Sequence, residues 1–437
     1  MRYLKEININ KDKVVNKYNL NLEVVNRIFY ILENYFLKIE KLDIQNMSLR
    51  EQLSLLGVIA EIFPILKNQE KYLQKSYEIF GELKKRIYKH EFHGISLYDG
   101  IGNWVIFLQI LNENSGCYDN LYKSVNEILV NNVEKVLKVI RQKENVSFYD
   151  YDTICGLSGI SNYLLSKPDE NRDILKEIAT FFICLGMEIE EKSEKHIKWV
   201  KISKNREYED YLDFSLAHGI AGPLLMLSRF LNCGVSVPNQ KDAIDRILNE
   251  YEYVARKIGV DVWSGKVKKG NYFDHKIQEN NFREGWCYGT ASVSMVFLES
   301  TPLSNSPYLY DKAYARLCEV ANMSIVEMCL SNEILCHGYA GMSAIFRNLY
   351  DLYEESLFKR KAYDLVEKIV EGYAFDSKFG FLTEDTVIYN GKVSRKSCDK
   401  MDFLEGSAGI IMELSGWIKK ETKYEKMLML KKKVLNM

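Results

Sequence analysis

Proline is scarce in this chain, with six residues in 437. Its scarcity removes the commonest interruption of long helices. No stretch approaches the roughly 18 uninterrupted apolar residues of a membrane-spanning helix, so no transmembrane segment is expected. No basic-then-apolar segment reads as a signal peptide, and a cytoplasmic location is the expectation. An excess of one charge is also missing. Lys and Arg number 59 against 60 Asp and Glu, for a net charge of −1, which argues against nucleic acid or another polyanion as the main partner. The nine cysteines are odd in number and scattered. Without an export signal they read as free thiols or metal ligands, not as a disulfide framework. No clean linker divides the sequence, so a single domain over residues 1–437 is expected.

Apolar residues make up 47% of the chain, enough for a sizeable core. The long periodic stretches are rich in Leu, Ile, Lys and Glu, which favours helix. A short glycine turn recurs, each time ahead of an apolar segment of helical length. The instances are Gly100-Ile-Gly-Asn before WVIFLQIL, Gly156-Leu-Ser-Gly159 before ISNYLL, and Gly219-Ile-Ala-Gly222 before PLLMLSRFL. The others are Gly289-Thr-Ala-Ser before VSMVFLES, Gly338-Tyr-Ala-Gly341 before MSAIFRNLY, and Gly406-Ser-Ala-Gly409 before IIMELSGWI. They recur about every 50 to 70 residues, which reads as the period of a helical array. A single such turn is ordinarily no more than a tight connection; six in register are a pattern. Glycine suits these turns because it tolerates positive φ and close backbone approach. LSLLGVIAEIFPIL, from Leu53, reads as a further member without the full turn.

Between these segments lie charged amphipathic stretches such as KYLQKSYEIFGELKKRIY from Lys71, with apolar residues at three and four. Buried helices alternating with amphipathic ones predict an all-α fold, an α/α toroid with an inner and an outer ring. Longer connections near Glu188–Leu212 and Gly259–Gly285, and a β-hairpin around Asn390-Gly391, are expected as small insertions at one mouth of the ring.

The turns gather particular residues at that mouth. Directly ahead of them stand Asp99, His218, Cys287-Tyr288, Cys336-His337 and Glu405, with Asp152 four residues ahead of Gly156. Cys287, Cys336 and His337 form a two-sulfur, one-nitrogen set that suits zinc and leaves a fourth position open. Two buried cysteines and a solvated histidine is the competing reading. His90, His93, His196 and His275 read as surface or loop residues, Cys155 as a small buried thiol, and Asp99 and Glu405 as helix caps.

The strings WCYG (Trp286 to Gly289), CHGYAG (Cys336 to Gly341) and AHGIAG (Ala217 to Gly222), with the turn array, resemble the lanthionine synthetase C family from about Ser96 to Trp417. The resemblance implies an α/α toroid holding one zinc through Cys287, Cys336 and His337. It implies addition of peptide cysteine thiols to dehydroalanine or dehydrobutyrine, giving lanthionine or methyllanthionine rings. It assigns His218 and Asp152 to the active site, Arg283 to the neighbourhood of the metal, and Tyr288 to a place beside it. Asn103 and Ser292 depart from the family pattern by replacing the second glycine of their turns. Implied partners are a dehydrated precursor peptide with its leader, a separate dehydratase, and an exporter at the inner face of the membrane.

The chemistry is coherent on its own terms. Metal coordination deprotonates a thiol whose free pKa is about 8.5. Addition to a dehydro residue then needs a donor for the enolate and a proton at the α-carbon, a task within reach of histidine. Alternatives are an enzyme adding glutathione or another small thiol, and a helical-repeat scaffold with a structural zinc. A toroidal prenyltransferase or glycosidase is disfavoured by the Cys–Cys-His set.

Overall fold

The computed structural model describes residues 8–204, 210–257, 259, 263, 265–276, 283–330, 332–389 and 392–430. Among them, seven helices are buried on nearly every face: Leu49–Ile62, Ile101–Ser115, Leu157–Leu164, Ala221–Asn232, Thr290–Ser300, Tyr339–Tyr353 and Ser407–Gly416. Seven amphipathic helices alternate with them along the chain: Leu22–Ile39, Gln69–Tyr88, Asp119–Ile140, Arg172–Leu185, Gln240–Lys257, Tyr308–Asn322 and Ser356–Glu371. Gln69–Tyr88 shows the logic, burying Tyr72, Ser76, Ile79, Phe80 and Leu83 along one stripe.

Gly100, Gly156, Gly289, Gly338 and Gly406 each cap the N-terminus of a buried helix. The segment from Leu53 proves to be part of Leu49–Ile62, which starts on a Ser48/Glu51 capping box instead of a glycine. Positive φ is needed at one of these turns only, Gly289 at +116°. Elsewhere the requirement is closeness: a Cβ on Gly409 would stand 1.9 Å from the carbonyl oxygen of Phe403.

The contacts of the chain fall into two compact units, Met1–His93, Tyr98–Glu127 and Leu330–Met437 in the first, and Gly94–Leu97 with Ile128–Cys329 in the second. In the first, Leu49–Ile62 packs between Ile101–Ser115 and Ser407–Gly416, and Ser407–Gly416 also meets Tyr339–Tyr353. The first and last buried helices of the chain are therefore neighbours. Buried ion pairs fasten the residues that follow. Lys419 Nζ lies 2.5 Å from Glu61 Oε1, and Arg347 reaches Glu413 at 2.6 Å and Glu425 at 2.7 Å. In the second unit, Ala221–Asn232 packs against Leu157–Leu164 and Thr290–Ser300 and also meets Arg172–Leu185 and Gln240–Lys257.

The described parts of the long connections contain short paired strands. Glu188–Glu191 pairs antiparallel with Glu194–Ile197, Tyr211–Asp213 pairs with Lys266–Lys268, and Ser203–Lys204 runs parallel to Val146–Ser147. The expected hairpin forms between Thr383–Tyr389 and Lys392–Cys398; its Asn390-Gly391 turn lies outside the described residues. His196 is not a surface residue. It is 5% exposed, with Nδ1 at 2.7 Å from the Tyr272 hydroxyl and 3.4 Å from Glu250 Oε1.

Glu333 sits half-buried in the turn ahead of Tyr339–Tyr353, its carboxylate packed against Gly372. Burial pushes its carboxyl up to about 7 from 4.5. A raised carboxyl stabilises the fold below its unfolded value, and that contribution is lost as pH climbs through the folded value. Relative to wild type, Glu333→Gln is therefore expected to gain about 2 kcal/mol between pH 5 and pH 8. Denaturant melts at both pH values check this; an equal difference at the two would refute it.

Candidate functional site

Asp152 ends a single helical turn, Phe148–Tyr151, whose start is fixed by a capping box of Ser147 and Asp150 and by the Val146–Ser147 strand pairing. Its side chain is fully buried. Oδ1 accepts hydrogen bonds from the backbone N–H groups of Cys155 and Gly156, both at 2.7 Å. Oδ2 lies 2.7 Å from Nδ1 of His218. Burial pushes the Asp152 carboxyl up, and the His218 ring and the two N–H groups pull against that rise.

The loop carrying His218 follows the strand Tyr211–Asp213. Asp213 Oδ1 accepts from the N–H of Ser215 at 2.9 Å and from its hydroxyl at 2.5 Å, and the Asp213 carbonyl accepts from Ile220 N–H at 3.0 Å. The His218 side chain is 39% exposed, so Nδ1 is tied to a buried carboxylate while the imidazole keeps access to solvent. Phe148 makes a T-shaped contact with the ring at 5.1 Å between centroids.

Cys287, 5% exposed, lies in the loop ahead of Thr290–Ser300. Fully buried Glu284 holds that loop, accepting from the N–H groups of Thr290 at 3.0 Å and Ala291 at 3.1 Å. The Arg283 guanidinium stands 5.8 Å over the Tyr288 ring. Cys336 and His337, both half-buried, occupy the corresponding turn ahead of Tyr339–Tyr353, where Asn332 Oδ1 accepts from Ile334 N–H at 3.3 Å. One thiol each from Cys287 and Cys336 and a ring nitrogen of His337 lie within 4.8 Å of one another, a group able to hold a metal ion. It is the sole such group among the described residues.

The structure also shows what the sequence reading passed over. Asp213, Glu284, Asn332 and Asp402 bind backbone N–H groups of their own turns, as Asp152 does. The signal was present: an acid or an asparagine stands four to six residues ahead of each turn glycine except Gly100. Asp402, not Glu405, is the cap of its turn, accepting from the N–H groups of Leu404 at 2.9 Å and Glu405 at 2.8 Å. Asp99 is ion-paired with Arg50 at 2.7 Å.

The alternation of seven buried and seven amphipathic helices, entered through glycine turns, is that of an α/α toroid. The model of the family described as lanthionine synthetase C-like protein matches residues 55–430, and the chain belongs to that family. It is similar to the nisin biosynthesis protein NisC of Lactococcus lactis subsp. lactis, with 29% identity over 298 residues, 66% of this chain and 70% of that protein. Among solved structures, a nisin cyclase matches with a TM-score of 0.67 at 21% identity, covering 94% of this chain and 98% of that one, a likeness of fold. No helix among the described residues is long and apolar enough to cross a membrane.

The double duty of Asp152 has a spectroscopic consequence. Two N–H donors fix the Oδ1 site as an acceptor, so in Asp152→Asn the amide NH2 must take the Oδ2 site and donate to His218. Nδ1 then becomes an acceptor and the ring proton moves to Nε2. Nitrogen NMR at pH 8 should report Nδ1–H in wild type and Nε2–H in the variant. The same tautomer in both would show that Asp152 does not orient the ring.

Proposed function

We propose that this chain is a zinc-dependent peptide cyclase. It joins cysteine thiols to dehydroalanine or dehydrobutyrine in a dehydrated precursor peptide and forms lanthionine or methyllanthionine rings. The observation that carries the reading is the convergence of Cys287, Cys336 and His337, in a chain of this family. The donor set fits zinc. Thiolate and imidazole are its preferred ligands, and Zn–S and Zn–N bonds of about 2.3 and 2.0 Å would draw such atoms only slightly closer together. Three protein ligands leave one position for substrate. When bound, one zinc per chain supplies a Lewis acid that favours a thiolate near neutral pH.

The remaining work falls to side chains. With Nδ1 engaged by Asp152, His218 presents Nε2 as the exchangeable site. It takes the proton of the substrate thiol, sulfur bonds to the β-carbon, and the π pair moves onto the neighbouring carbonyl as an enolate. His218 then returns the proton to the α-carbon, so the sum is addition of S–H across the double bond. The buried Asp152 carboxylate stabilises the imidazolium between these steps. Arg283 is the candidate to balance the enolate charge, and Tyr288, under its guanidinium, positions it. A separate dehydratase supplies the dehydro residues, the precursor's leader accompanies the substrate, and an exporter removes the product. A cytoplasmic location, peripheral at the inner face of the membrane, accords with these partners.

Ring formation preserves peptide mass and consumes a free thiol. A dehydrated peptide carrying one cysteine should therefore lose its reaction with N-ethylmaleimide without gaining mass. Mass gain from added glutathione, with no loss of the peptide thiol, would instead identify a small-thiol transferase. Cys336→Ala should abolish stoichiometric zinc by elemental analysis, since one of three ligands is gone; a full complement of metal would refute the ligand assignment. His218→Ala should keep its zinc and its helicity yet cyclise about 10²-fold or more slowly. Wild-type rates in that variant would remove His218 from proton transfer.

A further inference from the structure

Two consecutive aromatic residues, Phe148 and Tyr149, lie on the helical turn that ends in Asp152. Phe148 is 8% exposed and makes a T-shaped contact with the His218 ring, with the planes at 75°. Tyr149 lies against the same Phe148 at 4.0 Å between centroids, with 33° between planes, yet is 60% exposed. Neighbours in sequence do not normally face one another on a helix. Here the tyrosine ring is folded back over Phe148, and its hydroxyl makes no hydrogen bond among the described residues.

A single exposed apolar side chain needs no explanation by itself. Tyr149 differs from the other exposed aromatics in its place. It is one ring contact from the residue that touches His218, and it belongs to the helical turn that ends in Asp152. That turn is held rigidly, by the capping box, by the Val146–Ser147 strand pairing and by the ion pair of Lys143 with Asp150 at 2.5 Å. A rigid aromatic face with little rotamer entropy to lose is what a binding surface uses.

We infer that Tyr149, backed by Phe148, is a substrate subsite. It receives an apolar side chain of the peptide one or two residues from the dehydro residue that His218 serves. The inference rests on the cyclase reading for the identity of the ligand. An extended peptide advances about 3.3 Å per residue, and the Tyr149 ring is two successive ring contacts of 4.0 and 5.1 Å from His218, so it is within reach of a residue flanking the one at His218. The ring face offers that side chain area to bury and no partner for a carboxylate. An apolar flank is therefore preferred over an acidic one, and Tyr149 contributes to ring choice through affinity.

Binding of a peptide that cannot react separates this inference from the cyclase reading. Fluorescently labelled dehydroalanine peptides with serine in place of cysteine, carrying either Leu or Asp beside the dehydro residue, are titrated by anisotropy. The proteins are zinc-loaded wild type, Tyr149→Phe and Tyr149→Ala. Wild type and Tyr149→Phe should bind the Leu peptide about five- to tenfold more tightly than the Asp peptide. In Tyr149→Ala the ratio should fall below about twofold with an unchanged melting temperature. Equal binding of the two peptides by wild type, no binding of either, or a preference that survives in Tyr149→Ala overturns the subsite. Turnover of the cysteine-bearing peptide by wild type judges the cyclase reading independently of these outcomes.

Discussion

The site depends on a backbone constraint more than on any side chain: the turn loops must satisfy one another's buried peptide groups. Within the second unit, Thr153 N–H donates to the Ala217 carbonyl at 2.9 Å and Ala217 N–H donates to the Cys287 carbonyl at 3.0 Å. Within the first, Cys336 N–H donates to the Leu404 carbonyl at 2.9 Å. Ala217, Cys287, Cys336 and Leu404 each stand two residues ahead of a turn glycine. Buried N–H and C=O groups seldom go unpaired, and these loops have no sheet to supply partners. Joining turn to turn in one register meets the need. It also sets Asp152, one residue ahead of Thr153, near His218, which follows Ala217, and sets His218 near Cys287.

A second device recurs beneath the loops and was put to different uses. Asn332, Asp402, Asp213, Glu284 and Asp152 each cap backbone N–H groups of a turn. Asn332 shows that a neutral amide oxygen suffices for the capping itself. A full carboxylate in a buried position carries a desolvation penalty, so its presence at Asp152 calls for a further partner. That partner is His218, at 2.7 Å from the second oxygen. Glu284 divides its two oxygens between Thr290 and Ala291 and thereby holds the loop of Cys287.

Much of the fold was legible because helix periodicity and glycine turns are local signals. Even Leu49–Ile62, which lacks the glycine, announced itself by its apolar run. Cys287 could be matched with Cys336 and His337 only through the repeat register, since 48 residues lie between Cys287 and Cys336. Apart from the hairpin of Thr383–Tyr389 and Lys392–Cys398, the small sheets were not legible. Strands such as Ser203–Lys204 span two residues, too few to show a period. His196 misled for a related reason. Its burial comes from Glu250 and Tyr272 on other elements, 54 and 76 residues away. The caps were readable in principle, but a lone acid a few residues from a glycine has no meaning until several are aligned.

Closure of the ring poses a problem that periodicity cannot solve, because Leu49–Ile62 and Ser407–Gly416 must find each other across most of the chain. Apolar faces alone choose partners poorly. The residues after the last buried helix carry a polar solution. Glu61 accepts from Lys419 Nζ, from the N–H of Lys423 at 3.1 Å and from the N–H of Tyr424 at 2.9 Å. Arg347 is ion-paired with both Glu413 and Glu425, and Trp417 Nε1 donates to Glu413 at 3.0 Å. Such buried pairs add little net stability over a well-packed apolar core, but a mispaired alternative leaves a charge stranded in it, at about 3–5 kcal/mol. Their placement is thus suited to rejecting wrong closures. Because Cys336 is bonded to Leu404, three residues before the last buried helix begins, an error in that closure would reach the loop of Cys336 and His337 directly.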